Sequence, residues 1–262
     1  MEPGRLSRAR TGPLRRLSYA AQRARCGTNQ RVISGGEVDN WHAYAINSAS
    51  PSPVPWTSEA LFRYLRDGWD ADHGLARGPM AEVVGNLSTV PESDVRAIAT
   101  YMASVFGPPS QDRNRQTDEV RAQVKSPPHE PALTSSAGAA IYAAACATCH
   151  ESERPLPYGG VNLGLSTALS APDPRNAANI ILSGIRPLAG ERSPIMPGFA
   201  DSMSDAQISE LLNYLRARFS RQAAWSGVEK TVQEARRAQT ALLLTSPGTR
   251  HAPADRTERD KP

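Results

Sequence analysis

The order of apolar and polar residues along the chain predicts short amphipathic helices joined by Gly- and Pro-rich loops. In the second half, helices are predicted over residues 139–145, 176–183 and 204–219. The last of these carries apolar residues at helical spacing, namely Ile208, Leu211, Leu212, Leu215 and Phe219. Ser204 and Gln207 have the spacing of a capping box at its start. The pattern therefore predicts an all-α fold.

The first half of the chain repeats this order of elements. A helix capped by Thr57 or Ser58 is predicted to end at Gly68, and a later helix is predicted over residues 92–106. The apolar residues of these two helices are again at helical spacing: Leu61, Phe62, Leu65, Val95, Ile98, Ala99 and Met102. The first half is therefore predicted to fold as a second copy of the helical domain.

Two further positions align between the halves. Tyr101 corresponds to Tyr214, each within the last helix of its half. Met80 corresponds to Met196 with a slip of a few residues, because each follows the shorter helix of its half and precedes the final one. The alignment predicts two tandem domains of one kind.

These patterns divide the chain into a disordered Arg-rich start, two helical domains joined by a linker, a last helix and a disordered tail. The predicted boundaries are residues 1–34 for the start, 35–107 for the first domain, 108–132 for the linker, 133–220 for the second domain, 221–245 for the C-terminal helix and 246–262 for the tail. The linker is rich in proline and charged residues and is predicted to be partly extended.

Composition excludes some functions. The net charge is only +4, and the arginines crowd the first thirty positions without interleaved aromatic residues, so no nucleic-acid partner is expected. The longest apolar runs are too short for a transmembrane segment, and membrane association is expected only peripherally, through partners. Residues 1–31 contain no apolar stretch of signal-peptide length, although Arg15 and Arg16 have the dipeptide of a twin-arginine signal.

Cys146, Cys149 and His150 form the one C-x-x-C-H run in the chain. This run is the attachment signature of haem c: both thiols form thioether bonds to the vinyl groups, and the adjacent histidine reaches the iron. Zinc, a redox dithiol and an inert pair are the competing interpretations. Zinc needs four ligands, and only Cys26 remains as another thiol. A redox dithiol normally follows a strand, whereas residues 139–145 are predicted to be helical.

The iron of such a haem is usually completed by a methionine or a second histidine. Downstream of His150 the candidates are Met196, Met203 and His251. Met196 has a proline two residues before it and another directly after it, which suits a loop that holds a thioether in place. Met203 precedes a helix cap and is predicted to pack against the core. His150 and Met196 are therefore the predicted iron ligands.

Residues from about 135 to 219 resemble a class I cytochrome c domain. The matching features are a first helix with Gly138 and Tyr142 four residues apart, the C-x-x-C-H run, a Gly/Pro-rich loop, the loop that contains Met196, and a last helix with the sequence Leu-Leu-Asn-Tyr-Leu. The resemblance implies that the domain holds a covalently attached haem c.

The same resemblance implies two contacts. The first and last helices of such a domain cross, with a small residue at the contact and an aromatic residue beside it, so Gly138 is expected to lie against Tyr214. A proline carbonyl after the haem motif accepts the ring N–H of the histidine, so Pro155 or Pro157 is expected to do this for His150. Such a bond fixes the tautomer of the imidazole.

The paired pattern also resembles the multi-haem cytochrome c subunits of bacterial membrane-associated alcohol dehydrogenases and of molybdenum-containing aldehyde or N-heterocycle oxidoreductases. Residues 53–57, 73–80 and 91–99 resemble the middle domain of such subunits, and the resemblance covers about residues 35–239. The chain departs from the family because it has no first haem domain, no middle haem motif and no export signal.

The first half is expected to hold no haem, which leaves one haem c per chain. It contains no C-x-x-C-H run, and no histidine closely follows Cys26. Non-covalent haem held by His42 or His73 together with Met80 is the alternative. Otherwise the lone histidines are expected to be solvated surface residues: His42, His73, His129 and His251.

The resemblance implies an electron carrier, not an enzyme. Its expected donor is a partner dehydrogenase subunit, and its expected acceptor belongs to the respiratory chain or is soluble. The expected location is the periplasm or the periplasmic face of the inner membrane. This location conflicts with the lack of a recognisable export signal in the sequence, unless the true start lies elsewhere, the chain is a fragment or a partner carries the chain across the membrane. Two other classes stay open: a haem enzyme with an open iron site, and a docking or relic subunit without haem.

Overall fold

The computed structural model describes residues 33–125, 136–152, 154, 160–185 and 196–245. Within these ranges the chain is mostly helical, which confirms the all-α class. Two short β-hairpins are additional elements that the apolar pattern did not predict. None of the described helices combines the length and the apolar character that crossing a bilayer requires.

The helices fall into three groups along the chain. The first group is α1 (Ser58–Asp67), α2 (Pro79–Leu87) and α3 (Glu92–Phe106), and α4 (Gln111–Lys125) follows alone. The last group is α5 (Ala137–Ala145), α6 (Ala147–His150), α7 (Thr167–Ser170), α8 (Arg175–Ser183), α9 (Asp205–Phe219) and α10 (Val228–Thr245), with a 3-10 turn at Leu163–Leu165.

Helices α1 and α3 pack together and form the core of the first half. Thr57 caps α1 through its side chain, and Gly68 ends the helix in the left-handed conformation, as predicted. The buried core residues are Leu61, Phe62, Leu65, Val95 and Ala99, with Trp56, Met80 and Phe106 packed against them. Side chains of the chain itself therefore fill the centre of this half.

The two hairpins belong to the first half. Strands β1 (Gly36–Val38) and β2 (Trp41–Ala43) pair across Asp39 and Asn40, which have φ angles of 48° and 67°. Short polar residues tolerate this left-handed conformation, which a two-residue hairpin turn requires at both positions. Strands β3 (Trp69–Asp70) and β4 (Gly74–Leu75) form the second hairpin directly after α1.

The predicted linker contains a helix, so its partly extended character was predicted wrongly. Helix α4 occupies most of the segment and packs on the 3-10 turn of the second half. The stretch between the proline pairs has no Gly or Pro and is rich in Arg and Gln, which favour helices. Within the predicted C-terminal segment 221–245, the helix runs from Val228 to Thr245, and Gly227 before it adopts a positive φ of 64°.

The second half is built around the crossing of α5 and α9. An added Cβ at Gly138 would lie 2.3 Å from the Glu210 carbonyl oxygen and 2.7 Å from Cβ of Tyr214. This confirms the predicted contact, since only glycine lets the two backbones approach so closely. The Ser204–Gln207 capping box at the start of α9 is also confirmed.

Helices α8 and α10 complete the core around α9. The buried set includes Tyr142, Ile181, Leu182, Ile208, Leu211, Leu212, Leu215 and Val232. The predicted stripe on α9 is therefore buried except for Phe219, which is half-buried at the edge of this core.

Tyr101 does not reproduce the environment of Tyr214. Tyr101 is 65% exposed, whereas Tyr214 is 7% exposed. The reason is that α5 covers Tyr214, whereas Tyr101 does not belong to the core that α3 forms with α1. That the two halves are copies of one domain stays a prediction.

Hydrogen bonds join the two halves between β2 and α8. The backbone N–H of His42 donates to the Asn176 side-chain oxygen at 2.8 Å, and the Asn176 amide donates back to the His42 carbonyl at 2.8 Å. The Asn179 amide donates to the Asn40 carbonyl at 2.8 Å. Because Asn176 and Asn179 are buried, these bonds fix where the first hairpin lies on the second half.

Leu212→Ala is expected to destabilise the chain by about 2–5 kcal/mol, because Leu212 is 0% exposed and its truncation leaves a cavity between α5, α8 and α9. Denaturant unfolding of the full chain measures this loss. The matched control is Leu242→Ala on α10, because Leu242 is 53% exposed. This change is expected to alter the free energy of unfolding by no more than about 0.5 kcal/mol. Equal losses in both variants would contradict the assignment of the core to α9.

Candidate functional site

The C-x-x-C-H run lies at the junction of α5 and α6. Ser136 caps α5, because its hydroxyl accepts a hydrogen bond from the Ala139 N–H at 3.1 Å. The helix ends at Cys146, and the N–H groups of Cys149 and His150 both donate to the Cys146 carbonyl, at 3.1 and 3.0 Å. This turn brings the second cysteine and the histidine back beside the first cysteine.

The two thiols are not joined by a disulfide: Cys146 is half-buried and Cys149 is exposed. Burial, together with the neighbouring Cys149 thiol, raises the pKa of Cys146 to about 11. A reactive dithiol needs a lowered pKa, so the environment argues against a redox pair. In the described ranges, no three His, Cys, Asp or Glu side chains are grouped closely enough to hold a metal.

One ring nitrogen holds His150 in place. Its Nδ1 lies 2.9 Å from the carbonyl oxygen of Val161. Because a carbonyl only accepts, Nδ1 carries the proton, and Nε2 has the lone pair that a metal ion can bind. The loop that contains Val161 can approach the imidazole because residue 160 is a glycine. An added Cβ at Gly160 would lie 2.9 Å from Nδ1 of His150 and 3.0 Å from the Cys149 carbonyl oxygen.

The partner of His150 is therefore not the expected proline. Pro155 and Pro157 lie outside the described residues, and the carbonyl of Val161 accepts the bond. The acceptor is a backbone oxygen, which every residue type has, so the side chain does not decide which residue accepts this bond. The acceptor is decided by the point at which the loop comes back to the imidazole, and the close approach of Gly160 sets that point.

Met196 is fixed through its backbone, directly after α8. Its N–H donates to the Ile185 carbonyl at 3.1 Å, and its carbonyl accepts from the Ile185 N–H at 2.8 Å. Gly184 precedes this pair with a positive φ of 68°, and an added Cβ there would lie 2.4 Å from the Met196 carbonyl oxygen. The prediction for Met196 named the flanking prolines, but within the described residues the pairing with Ile185 holds its backbone.

The residues after Met196 close the end of α8. The N–H groups of Phe199 and Ala200 donate to the carbonyls of Ile181 and Leu182, at 3.0 and 3.2 Å. These carbonyls belong to the last turn of the helix and have no partner within it. The loop therefore caps α8, and the position of Met196 is tied to the buried part of that helix.

The haem motif and the Met196 loop share one core. Cys146, Leu163 and Met196 are all partly buried against the cluster built from α5, α8 and α9. Met203 packs against the same cluster, which confirms its predicted packing role. One predicted attachment residue, Cys146, and the predicted sixth ligand, Met196, therefore pack against the same hydrophobic core.

His73 is buried, so the prediction of a solvated surface residue was wrong. Its side chain is 1% exposed, its Nδ1 lies 2.7 Å from the Asp70 carboxylate, and its Nε2 lies 3.2 Å from the Val54 carbonyl oxygen. The ring stacks on Trp56 with 3.6 Å between centroids. Burial alone would raise the pKa of Asp70, but the hydrogen bonds from His73 and Arg63 outweigh it and keep that pKa below its usual value.

The remaining residues predicted from the first half are placed as follows. His42 is half-buried, with its Nε2 2.9 Å from Glu37. Met80 packs on the core of α1 and α3. Trp69, the second residue after α1, pairs with Leu75, and Ile185, the second residue after α8, pairs with Met196. By this backbone pairing Leu75, and not Met80, is in register with Met196. Cys26, His129 and His251 lie outside the described residues.

Two residues that the sequence analysis did not single out, Glu151 and Arg218, form hydrogen bonds with Tyr142 and Tyr214 at the end of the motif. Glu151, directly after His150, accepts hydrogen bonds from the Tyr142 hydroxyl at 3.0 Å and from Arg218 at 2.7 Å. Arg218 also donates to the Tyr214 hydroxyl at 2.7 Å. The spacing of Tyr214 and Arg218 on one helix was the available signal. These bonds tie α6 to both crossing helices.

Residues 134–215 match the family described as "Cytochrome C oxidase, cbb3-type, subunit III". The chain carries a c-type cytochrome domain. The match covers α5 to most of α9, which includes the C-x-x-C-H run and Met196.

Proteins that match more of the chain than residues 134–215 are named as dehydrogenase subunits, which confirms the predicted resemblance. The chain is 35% identical over 207 residues to a subunit of the nicotinate dehydrogenase of Pseudomonas putida, covering 78% of this chain and 17% of that protein. It is 29% identical over 239 residues to the fructose dehydrogenase cytochrome subunit of Gluconobacter japonicus, covering 82% and 48%. It is 26% identical over 220 residues to the cytochrome c subunit of a quinone-dependent alcohol dehydrogenase of Gluconobacter oxydans, covering 80% and 44%. The chain therefore spans less than half the length of each of these relatives.

A c-type cytochrome domain implies covalently bound haem c, and the residues present fit this group. Two thiols lie within one helical turn, and His150 offers Nε2 while its Nδ1 is bonded to Val161. Gly160 leaves the close approach to the imidazole free of side-chain atoms. The donor set of two sulfurs and one imidazole is that of a proximal haem c site.

Gly184→Ala is expected to displace Met196 and to lower the melting temperature of the full chain. The left-handed φ costs about 1–2 kcal/mol for a residue with a Cβ, and the added atom would also lie 2.4 Å from the Met196 oxygen and 2.5 Å from the Gly198 nitrogen. Thermal unfolding followed by circular dichroism measures the effect.

The matched control for this change is Gly227→Ala. Gly227 has a similar φ of 64°, but an added Cβ there would meet no atom within 4 Å. Its expected cost is the backbone strain alone, about 1–2 kcal/mol. If the two variants melted at the same temperature, the close packing of Gly184 against Met196 would not constrain the loop.

Proposed function

We propose that this chain is an electron carrier in which Cys146 and Cys149 hold one haem c covalently and His150 and Met196 are the axial ligands. The observation that carries the proposal is that the backbone positions both ligand candidates. The Val161 carbonyl orients the imidazole at 2.9 Å, and two hydrogen bonds to Ile185 hold the Met196 backbone. A weak thioether ligand benefits from such preorganisation, because little freedom is lost when it binds.

The bound haem supplies a reversible ferric/ferrous couple. The protein's part is to orient the ligands and to limit water around them: Leu163 and Phe199 are partly buried against the same core as Met196. A thioether opposite an imidazole raises the potential relative to two imidazoles, which suits an acceptor of electrons from a dehydrogenase. With both axial positions filled, the chain offers no iron site to a substrate, and this argues against a haem enzyme.

We propose a dehydrogenase as the electron donor. The support is that the relatives named above belong to nicotinate, fructose and quinone-dependent alcohol dehydrogenases. One electron enters from the reduced donor and one leaves to an oxidised acceptor of the respiratory chain or to a soluble acceptor, so no atom is transferred by this chain. We place the carrier in the periplasm or at the periplasmic face of the inner membrane, because covalent haem attachment belongs there.

We propose one haem per chain, since the first half offers no site that resembles the second. Both ring nitrogens of His73 already have acceptors, and its ring stacks on Trp56. Met80 packs on the core of α1 and α3. The centre of this half is filled by these side chains, which leaves its histidines and Met80 to structural roles.

Met196→Ala is expected to abolish the weak sulfur-to-iron charge-transfer band of the oxidised protein and to lower its midpoint potential, because the thioether is lost. Absorption spectroscopy and a redox titration measure both changes. The opened site is also expected to bind carbon monoxide in the reduced state, which the six-coordinate wild type resists. Met203→Ala is the matched control, and loss of the band in that variant instead would refute the assignment of Met196.

A pyridine haemochrome assay is expected to give one haem per chain. The double change Cys146→Ser/Cys149→Ser should remove covalent haem, while Cys26→Ser and Met80→Ala should leave the count unchanged, because thioether bonds require the paired thiols. Two haems per chain, or a haem stain on a denaturing gel that survives the double change, would contradict the proposal. No haem in the exported wild type would favour a docking subunit.

A further inference from the structure

A cavity of about 460 Å³ lies between the two halves of the chain. Its walls come from the loop at Ser50, from α4, from the end of α7 and from the loop that precedes α10. Arg113 of α4 and Arg216 of α9 both line it. None of the four predicted haem-binding residues lines this cavity.

Arg216 is 5% exposed and is oriented by backbone oxygens alone. Its Nε donates to the Ala223 carbonyl at 2.8 Å, and its Nη1 donates to the carbonyls of Ala171, at 3.0 Å, and Leu169. The guanidinium also lies 4.5 Å from the ring centre of Trp225. Within the described residues, Nη2 has no hydrogen bond and the cation has no carboxylate partner.

Arg113 is in a similar situation. It is half-buried, and the one hydrogen bond of its side chain within the described residues goes from Nη2 to the Ser52 carbonyl. Nearby arginines are paired with acids instead: Arg115 with Asp112, Arg121 with Asp72, Arg218 with Glu151 and Arg221 with Glu119. Two guanidinium groups without an acidic partner therefore face one cavity.

Backbone carbonyls satisfy N–H donors but do not neutralise a buried charge. Burial accordingly lowers the pKa of Arg113 and the pKa of Arg216, and no acid opposes this. An anion in the cavity would remove this cost for both cations at once, and it would meet guanidinium N–H groups that are not otherwise bonded.

We propose that this cavity binds a small molecule through an oxyanion, a phosphate or a carboxylate, held between Arg113 and Arg216. The hydroxyls of Ser170 and Ser226 also line the cavity and can donate to the same anion. The volume of about 460 Å³ is within the range of small-molecule sites and exceeds what a bare ion needs. The site is separate from the proposed haem ligands and does not depend on electron transfer.

Calorimetric titration of the full haem-loaded chain with inorganic phosphate, and separately with succinate, tests the proposal at constant ionic strength set by NaCl. We expect saturable binding of one anion per chain, and the stronger of the two probes identifies phosphate or carboxylate as the preferred group. Arg113→Gln should weaken this binding by about tenfold or more, since a charge-assisted hydrogen bond is lost.

Arg115→Gln is the matched control, because it removes the same charge two residues along α4 from a side chain that is 75% exposed. Its expected affinity is that of the wild type. Circular dichroism verifies that each variant is folded, and Arg113→Lys, which keeps the charge but not the planar fork, should have an intermediate affinity.

Two results would overturn the proposal. One is that neither anion binds to the folded wild type above the NaCl background. A carboxylate of the haem-loaded chain that already occupied the cavity would give this same result and would also overturn the proposal. The other is equal weakening by Arg113→Gln and Arg115→Gln, which would show a general attraction of anions to the basic surface of α4.

Discussion

The crossing of α5 and α9 at Gly138 is the contact on which the rest of the cytochrome domain depends. An added Cβ at Gly138 would lie 2.3 Å from the Glu210 carbonyl oxygen, so the two helix backbones touch. Because α6 follows α5 through Cys146 with no intervening loop, the direction of α5 determines where the thiols and His150 lie. On its other side α9 packs on α8, and the end of α8 holds Met196. One close contact thus sets the relative positions of the predicted ligands.

The loop that carries Met196 is held from both ends. Before it, Ile185 pairs with Met196, and after it the chain caps α8. Arg236 of α10 then fixes the following turn, since it donates to the carbonyls of Ala200 and Met203 and lies 2.6 Å from the Asp205 carboxylate. The C-terminal helix therefore contributes to the placement of Met196, the predicted sixth ligand, since Arg236 binds the turn that follows it. Surroundings that hold the methionine rigidly would favour a weak thioether bond to iron.

The two halves of the chain have different centres. In the second half, Cys146 and Met196 are partly buried against the core of α5, α8 and α9, whereas in the first half Trp56 packs against the core of α1 and α3 and stacks on His73. The halves meet through buried amides, with Asn176 bonded to the backbone of His42 in β2 and Asn179 to that of Asn40 in the turn before it. Because a buried amide without these partners would be costly, the seam between the halves is specific and not merely a hydrophobic contact.

The sequence by itself determined the features that a few neighbouring residues encode. Helical spacing located the stripe of α9, and the Ser204–Gln207 pair located its start. The crossing at Gly138 and Tyr214 was expected from the resemblance to class I cytochrome c domains. Only the tertiary structure decided which segments meet. Backbone oxygens have no signature in the sequence, so the Val161 bond to His150 and the pairing of Ile185 with Met196 were not predicted. Burial of His73 was missed for the same reason, since its polar sequence neighbours hide a partner in Asp70 and a stack on Trp56 that only folding creates.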